Sequence, residues 1–371
     1  MGLTHRDFMT ETYFHRNNHF VSRGYLKRWA LPDDRVWTYR ILVSHAQVPL
    51  WKKRSIRGLA YHTHLYTRIT AGGETDEIEK WLDREFETPA EEAIERATSG
   101  VRLTTEDWAR LVRFLAAQDV RTPARLVERL KHWEATLPGL IVDTMEKSVR
   151  MRELAKKSGQ ALPPPKISHA DHIPFRVTTE TKPGQKIGIM KGETLAGRGL
   201  WLFSIRHLLT QTLNVLLQNK WTILAPPDDM DWFTSDDPVV RLNFNGPDKY
   251  DFGGGWHSPG TYIFLPLSPR HLLYTQVGKR PPRRGDTMAR PQAEMVRRLV
   301  AEHAHRMIFT KNPDASVPEF RPRTVDAQIL ANENEQWRKW HEDQTIAEQK
   351  LMGWLEPEVS SISDAAKGDE G

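Results

Sequence analysis

Residues 194–224 read TLAGRGLWLFSIRHLLTQTLNVLLQNKWTIL, and the change of pattern inside this stretch decides the fold class. From 194 to 219 the residues Leu200, Trp201, Leu202, Phe203, Ile205, Leu208, Leu209, Leu213, Val215, Leu216 and Leu217 form a nearly continuous apolar run, which predicts a helix buried on most sides. At 221–224 the period shortens. Runs at 221–224, 232–234, 239–244, 261–265 and 271–277 are short, β-branched or aromatic, and separated by Pro, Gly and Asp clusters, which predicts an antiparallel meander. A helix over 291–306 and a strand over 307–310 follow.

Toward the N-terminus the pattern is mainly helical. One short strand is expected over 35–43, after the turn signal Pro32-Asp33-Asp34. Ile78, Trp81, Leu82, Phe86, Ala90 and Ile94 recur at three-and-four spacing over 77–97, with Thr75 or Asp76 as N-cap. Thr104 or Thr105 caps the next helix, Pro123 is expected to kink it, and Pro138 to precede a third that runs to about 157. The fold class is therefore α+β: a mainly helical first half, then antiparallel strands with flanking helices. The organisation expected is a helical region 1–157, a Pro-rich connection 158–186, and 187–312 completing the same fold. A polar C-terminal helix lies within 313–352, and the tail 353–371 is disordered by composition.

With 371 residues, 39% hydrophobic, 27% charged and a mean hydropathy of -0.60, the chain has the composition of a globular protein, and no apolar run reaches the length of a membrane span. Zero cysteines exclude disulfides, cysteine nucleophiles and thiolate zinc sites. No secretory signal is visible at the N-terminus, so a cytoplasmic protein is expected. The net charge of +5 is segregated: residues 1–70 carry +8, residues 71–100 carry −7, and residues 326–371 carry −7. A basic body suits a polyanion, and a solvated basic face gives the same count.

Residues 18–30, NHFVSRGYLKRWA, resemble the opening motif of the DUF4238 family, a bacterial family of unassigned function. Further segments fall in the family's order: Tyr66, Glu79 and Glu85 in the acidic helix, Gln118 with Arg121-Thr122-Pro123, Trp221, Phe233-Thr234-Ser235-Asp236 with Pro238-Val239, and Leu265-Pro266-Leu267-Ser268-Pro269. One departure is Val300-Ala301-Glu302, where the family usually has an Asn. The resemblance implies a fold and carries no chemistry.

Candidate site residues come from the polar members of those segments. His19 and Arg23 would share a face if their segment were helical, presenting a base and a phosphate-binding guanidinium. Gln118 and Arg121 offer an amide and a five-donor fork for phosphate or carboxylate, or a buried ion pair with Glu79 or Glu85. Asp236 could bind Mg²⁺ or Mn²⁺ or orient His19, or could be a turn residue accepting backbone N–H bonds; no Glu-x-Lys follows it on the next strand, as a restriction-type nuclease would want. Arg125 and His132, seven apart on one helix face, resemble the HEPN ribonuclease pair. His62 and His64 lie on one side of a strand, a minimal metal pattern, and Gly253-Gly254-Gly255 lacks the helix that a phosphate loop needs.

The first functional expectation is a nucleic-acid-directed phosphodiester hydrolase of a bacterial stress or defence system. In it His19 and Asp236 are catalytic, Arg23, Gln118 and Arg121 bind substrate, and Asp236 holds any metal. The alternatives are a non-catalytic scaffold whose motif residues form a buried polar network, and a HEPN-like ribonuclease using Arg125 and His132. Residues 324–351 are expected to pack in a groove through Trp337 and Trp340, with a homodimer contact as the alternative.

Overall fold

Pro and Asp clusters cut the second half of the chain into short strands, and the strands sort into two antiparallel sheets. One sheet has five strands in the order Thr222–Leu224, His271–Gln276, Tyr262–Ser268, Val240–Phe244, Tyr250–Asp251. The other has four, in the order Thr234–Ser235, Met307–Thr310, Arg35–Arg40, Trp51–Ser55. The computed structural model describes residues 14–70, 73–161, 175–181 and 188–353. The α+β class is as the sequence indicates. The 232–234 run departs from the meander, since Thr234 pairs with Phe309 in the second sheet while Val240 pairs with Phe264 in the first. The buried Asp236-Asp237-Pro238 turn is where the chain crosses between sheets, because Pro238 can donate nothing to a ladder.

The family-like segments lock together at one buried point. Tyr25 Oη lies 2.6 Å from Thr234 Oγ1 and donates to the Pro266 carbonyl at 2.7 Å, and Trp29 Nε1 donates to the Trp232 carbonyl at 3.0 Å. Tyr25 and Trp29 are almost fully buried, so these bonds satisfy polar atoms that would otherwise be costly to bury.

The helices differ from expectation at their prolines. Thr104 and Asp107 form a capping box that starts Thr105–Val120, with Thr104 N donating to Asp107 Oδ2 at 2.7 Å. That helix ends at Val120. Thr122 then caps an independent helix, Pro123–Ser158, with Pro123 in the first turn, where a missing N–H costs no bond. Pro138 lies inside this helix and does not precede a new one. The expected connection also contains structure: Phe175–Thr181 pairs with Gly188–Thr194 as a hairpin, so the buried helix begins at Arg198 and not at 194. Residues 162–174 and 182–186 of that connection, and 354–371 of the tail, lie outside the described residues.

Ala327–Gly353 docks on the same chain, without the full burial of its tryptophans that the groove expectation has. The Trp337 ring stacks on His62 with centroids 3.8 Å apart, and the fully buried Arg198 donates to Glu348 at 2.7 Å. Trp337 and Trp340 are half-buried. Among the described residues no helix is long and apolar enough to cross a membrane.

Candidate functional site

The acidic helix is built in two pieces, Glu77–Leu82 and Thr88–Thr98, joined by a π-helical turn, Asp83–Glu87. In an uninterrupted α-helix Glu79 and Glu87, eight residues apart, would point about 80° apart; the extra residue of a π-turn returns them to within about 20° of each other. Both therefore face the end of Thr105–Val120, where the helix gives out at Arg121. Glu87, and not Glu79 or Glu85, is the ion-pair partner of Arg121. Sequence reasoning passed over Glu87 because helical spacing places it off the face, and nothing in the residues announces the π-turn.

Arg121 is fully buried and fully committed. Its Nε donates to the Phe20 carbonyl at 3.1 Å and its Nη1 to Glu87. With its amide oxygen turned inward, Gln118 accepts from Arg121 Nε at 3.0 Å and from Nη2 at 2.5 Å. Tyr66 Oη closes the shell by donating to the Arg121 carbonyl at 2.7 Å. Arg121 and Gln118 are thus positioning groups for Glu87 and for the chain around Phe20, and their assignment as substrate-binding residues is corrected by this burial.

His19 joins the same cluster from a different element. It ends the strand Asn17–His19, opposite Tyr61, while Arg23 begins a separate short helix, so the two do not share a helix face. His19 is half-buried, and its Nε2 is enclosed with no hydrogen-bond partner. Glu79 Oε2 is enclosed and unpartnered in the same way. Burial pushes the Glu79 carboxyl up to about 8 against the pull of Arg121, with the negative charge of Glu87 adding to the rise. Burial lowers His19, with Arg23 and Arg121 acting in the same direction. At neutral pH the cluster therefore holds a protonated carboxyl and a neutral imidazole, the forms that can give and take a proton. Arg23 is exposed at its edge.

Asp236 is not part of it. It is fully buried, and its two oxygens accept the backbone N–H groups of His305 at 3.0 Å and Arg306 at 2.8 Å. Burial, opposed by those donors and reinforced by Asp237, raises it to about 7. It is the turn aspartate that fastens the crossing between the sheets, buried away from His19 and held by backbone donors, and this placement corrects its assignment as a catalytic and metal-binding residue of that cluster.

A second polar network lies on the other side of the helix break. Asp119 accepts from Arg241 Nε at 3.0 Å and from Trp256 Nε1 at 2.6 Å, and pairs with Arg125 at 3.3 Å. Arg125 also reaches Glu128 at 2.7 Å and His303 Nε2 at 2.9 Å, and Thr122 Oγ1 donates to Asp237 Oδ1 at 2.9 Å. The network forms one wall of a cleft of about 440 Å³ whose opposite wall is apolar, with Trp201, Ile205, Leu208 and Val215. Arg125 is held here, while His132 is exposed two turns along, roughly 10 Å further down the helix axis. Of the HEPN-like pair, Arg125 is tied into this network and His132 faces solvent.

His64, Glu74 and His341 bring one donor atom each within 4.8 Å of one another. The two imidazoles, however, stack with centroids 3.8 Å apart and planes 14° apart, so their in-plane lone pairs run side by side and cannot converge on one ion. Arg198 Nη1 also lies 2.9 Å from His341 Nδ1, which fixes the proton on Nε2, the atom that faces Glu74 at 2.8 Å. The cluster is a clasp for the C-terminal helix.

Comparison with curated proteins and with solved structures returns no match. The family model described as "Protein of unknown function (DUF4238)" matches residues 17–314, a span that contains the His19, Glu79, Glu87, Gln118 and Arg121 cluster, and its coverage of most of the chain shows that this protein belongs to the DUF4238 family.

Proposed function

We propose that the protein is a nucleic-acid-directed phosphodiester hydrolase with His19 as proton acceptor, Glu79 as proton donor and Arg23 as the cation that holds phosphate. The observation that carries this reading is the pair of enclosed atoms, His19 Nε2 and Glu79 Oε2, left without partners in one cluster. His19 has a backbone partner in Arg57 and the Glu79 carboxyl has one in His19, and the second polar atom that each side chain keeps free, beside one committed guanidinium, marks a place where a substrate group completes the bonding. Their protonation forms suit RNA in particular. The 2′-hydroxyl is an internal nucleophile: His19 takes its proton as the oxygen attacks phosphorus, and Glu79 protonates the departing 5′-oxygen, which leaves a 2′,3′-cyclic phosphate that water opens with the two roles reversed. The first 70 residues, which supply His19 and Arg23, carry a net +8.

The test is incubation of purified protein with end-labelled RNA and DNA of one sequence, in EDTA and with added Mg²⁺ or Mn²⁺. RNA is expected to be cut, Glu79→Gln and His19→Gln are each expected to lose roughly 100-fold or more, and Arg23→Gln to raise KM. Binding should weaken with salt at a log–log slope of about −0.7 per phosphate contacted on single strands. Intact polymers in every condition would remove the proposal. One observation favours the scaffold reading instead: Arg121 and Gln118 have all their partners within the protein. Under that reading Glu79→Gln leaves every nucleic-acid readout where it was.

A further inference from the structure

The helix Pro123–Ser158 is 36 residues long, and its buried members all fall in its first third: Pro123, Arg125, Leu126 and Trp133. The apolar seam does not stop there. Leu126, Leu130 and Trp133 pack on the body, and the same heptad positions continue outward as Leu137, Leu140, Thr144, Lys147, Met151 and Leu154. Leu137 still touches the body, but Leu140 is 56% exposed, Met151 58% and Leu154 65%. A helical arm of this kind, about 27 Å over residues 137–154, has no core of its own and is marginal in water without one.

One flank of the seam is already covered. The hairpin lies against Ile141 and Met145, so closely that a Cβ on Gly192 would come within 2.7 Å of Ile141 and 2.8 Å of Met145. Among the described residues nothing covers the seam itself or its other flank, which carries Asp143 and then Arg150. The arm is also charge-polarised: residues 134–146 hold three carboxylates and no Lys or Arg, whereas residues 147–158 hold five basic side chains against one Glu.

We propose that this arm is an antiparallel two-stranded coiled coil with a second copy of the chain, centred between residues 145 and 146. The spacing of the seam is symmetric about that point, which an antiparallel twofold requires. Leu137 then meets Leu154 of the other copy, Leu140 meets Met151, and a central polar layer pairs Thr144 with Lys147. On the open flank Asp143 lies beside Arg150 of the other copy, twice by symmetry. A parallel pair would instead set acidic half on acidic half and Lys147 on Lys147. The inference is independent of the proposed chemistry, whose residues lie on other elements.

Light scattering of the full chain at micromolar concentration should give twice 42.9 kDa, and Leu140→Glu with Leu154→Glu should return it to 42.9 kDa with a loss of helical circular dichroism no larger than the arm itself supplies. The chain has no cysteine, so cross-linking reads geometry directly. Oxidised Leu140→Cys/Met151→Cys should run as a covalent dimer, whereas Leu140→Cys alone should not. Asp143→Arg and Arg150→Asp should each weaken the dimer at least tenfold, and together restore it. A monomer at every concentration, a dimer that survives both glutamates, or a cross-link through Leu140→Cys alone would each overturn the proposal.

Discussion

Gln118 and Asp119 are neighbours in sequence, and their side chains belong to two different polar networks. On the Gln118 side, Arg121 and Glu87 are paired while His19 and Glu79 each keep an unpartnered atom. On the Asp119 side there are more charges, three acids and two arginines in mutual reach; each carboxylate has a cation or donor beside it, and the atoms left without a hydrogen bond are N–H donors, Arg125 Nε and Trp201 Nε1 in the cleft wall. The second network looks more like an active site by charge density and is a brace between the helix break and the sheet crossing. Density of charge is therefore a poor guide; an unpartnered carboxyl or imidazole is the better one, because it can exchange a proton with a group the protein does not supply, which an unpartnered arginine or tryptophan N–H cannot.

The largest expected effect separates the two directly. Arg125→Met leaves Asp119, Asp237 and Glu128 facing a site without its central cation, and should cost about 3–5 kcal/mol in denaturant unfolding. A loss below about 1 kcal/mol would mean that the network is not a brace.

Glu79→Gln should behave in the opposite way, abolishing cleavage while sparing the fold. Its pH signature has a definite sign. A carboxyl held at about 8 in the native state and near 4.5 when unfolded keeps a proton in the native chain that the unfolded chain has released. Between those values stability falls as pH rises, by up to about 1.4 kcal/mol per pH unit. Glu79→Gln removes that slope, so the variant should gain on the parent toward pH 8, and parallel curves would show Glu79 to be an ordinary carboxylate. Cleavage by the parent should fall above about pH 8, where the donor loses its proton.

Two smaller effects sharpen the contrast. Thr122→Val removes both the cap of Pro123–Ser158 and the bond to Asp237, and should cost about 1–2 kcal/mol without touching catalysis. His132→Ala, at an exposed position, should stay within about 0.5 kcal/mol and leave cleavage unchanged, whereas a large loss of activity would return the Arg125–His132 pair to consideration.

Much of this was legible in residue patterns. The strand at Arg35–Arg40, the capping box at Thr104, the helix Arg290–His303 and the docked C-terminal helix follow from local rules of period and capping. His19, Gln118 and Arg121 were legible as a group worth singling out, and the fold does bring them together. Their roles were not, because burial decides whether an arginine binds substrate or holds a neighbour. Asp236 could not be told from a metal ligand, since its partners are backbone N–H groups 69 and 70 residues away.

The sequence by itself determined the α+β class, the helix start at Thr104 and the family, because periodicity, caps and turn residues act over a few positions and carry their own physical cause. Tertiary structure alone decided that a π-turn would swing Glu87 rather than Glu85 onto Arg121, that Pro123 would open a helix and not bend one, and that Gln118 and Asp119 would face opposite networks. Those outcomes depend on which distant groups share a low-dielectric interior, and electrostatic partnership there is set by contact between segments that the linear order keeps far apart.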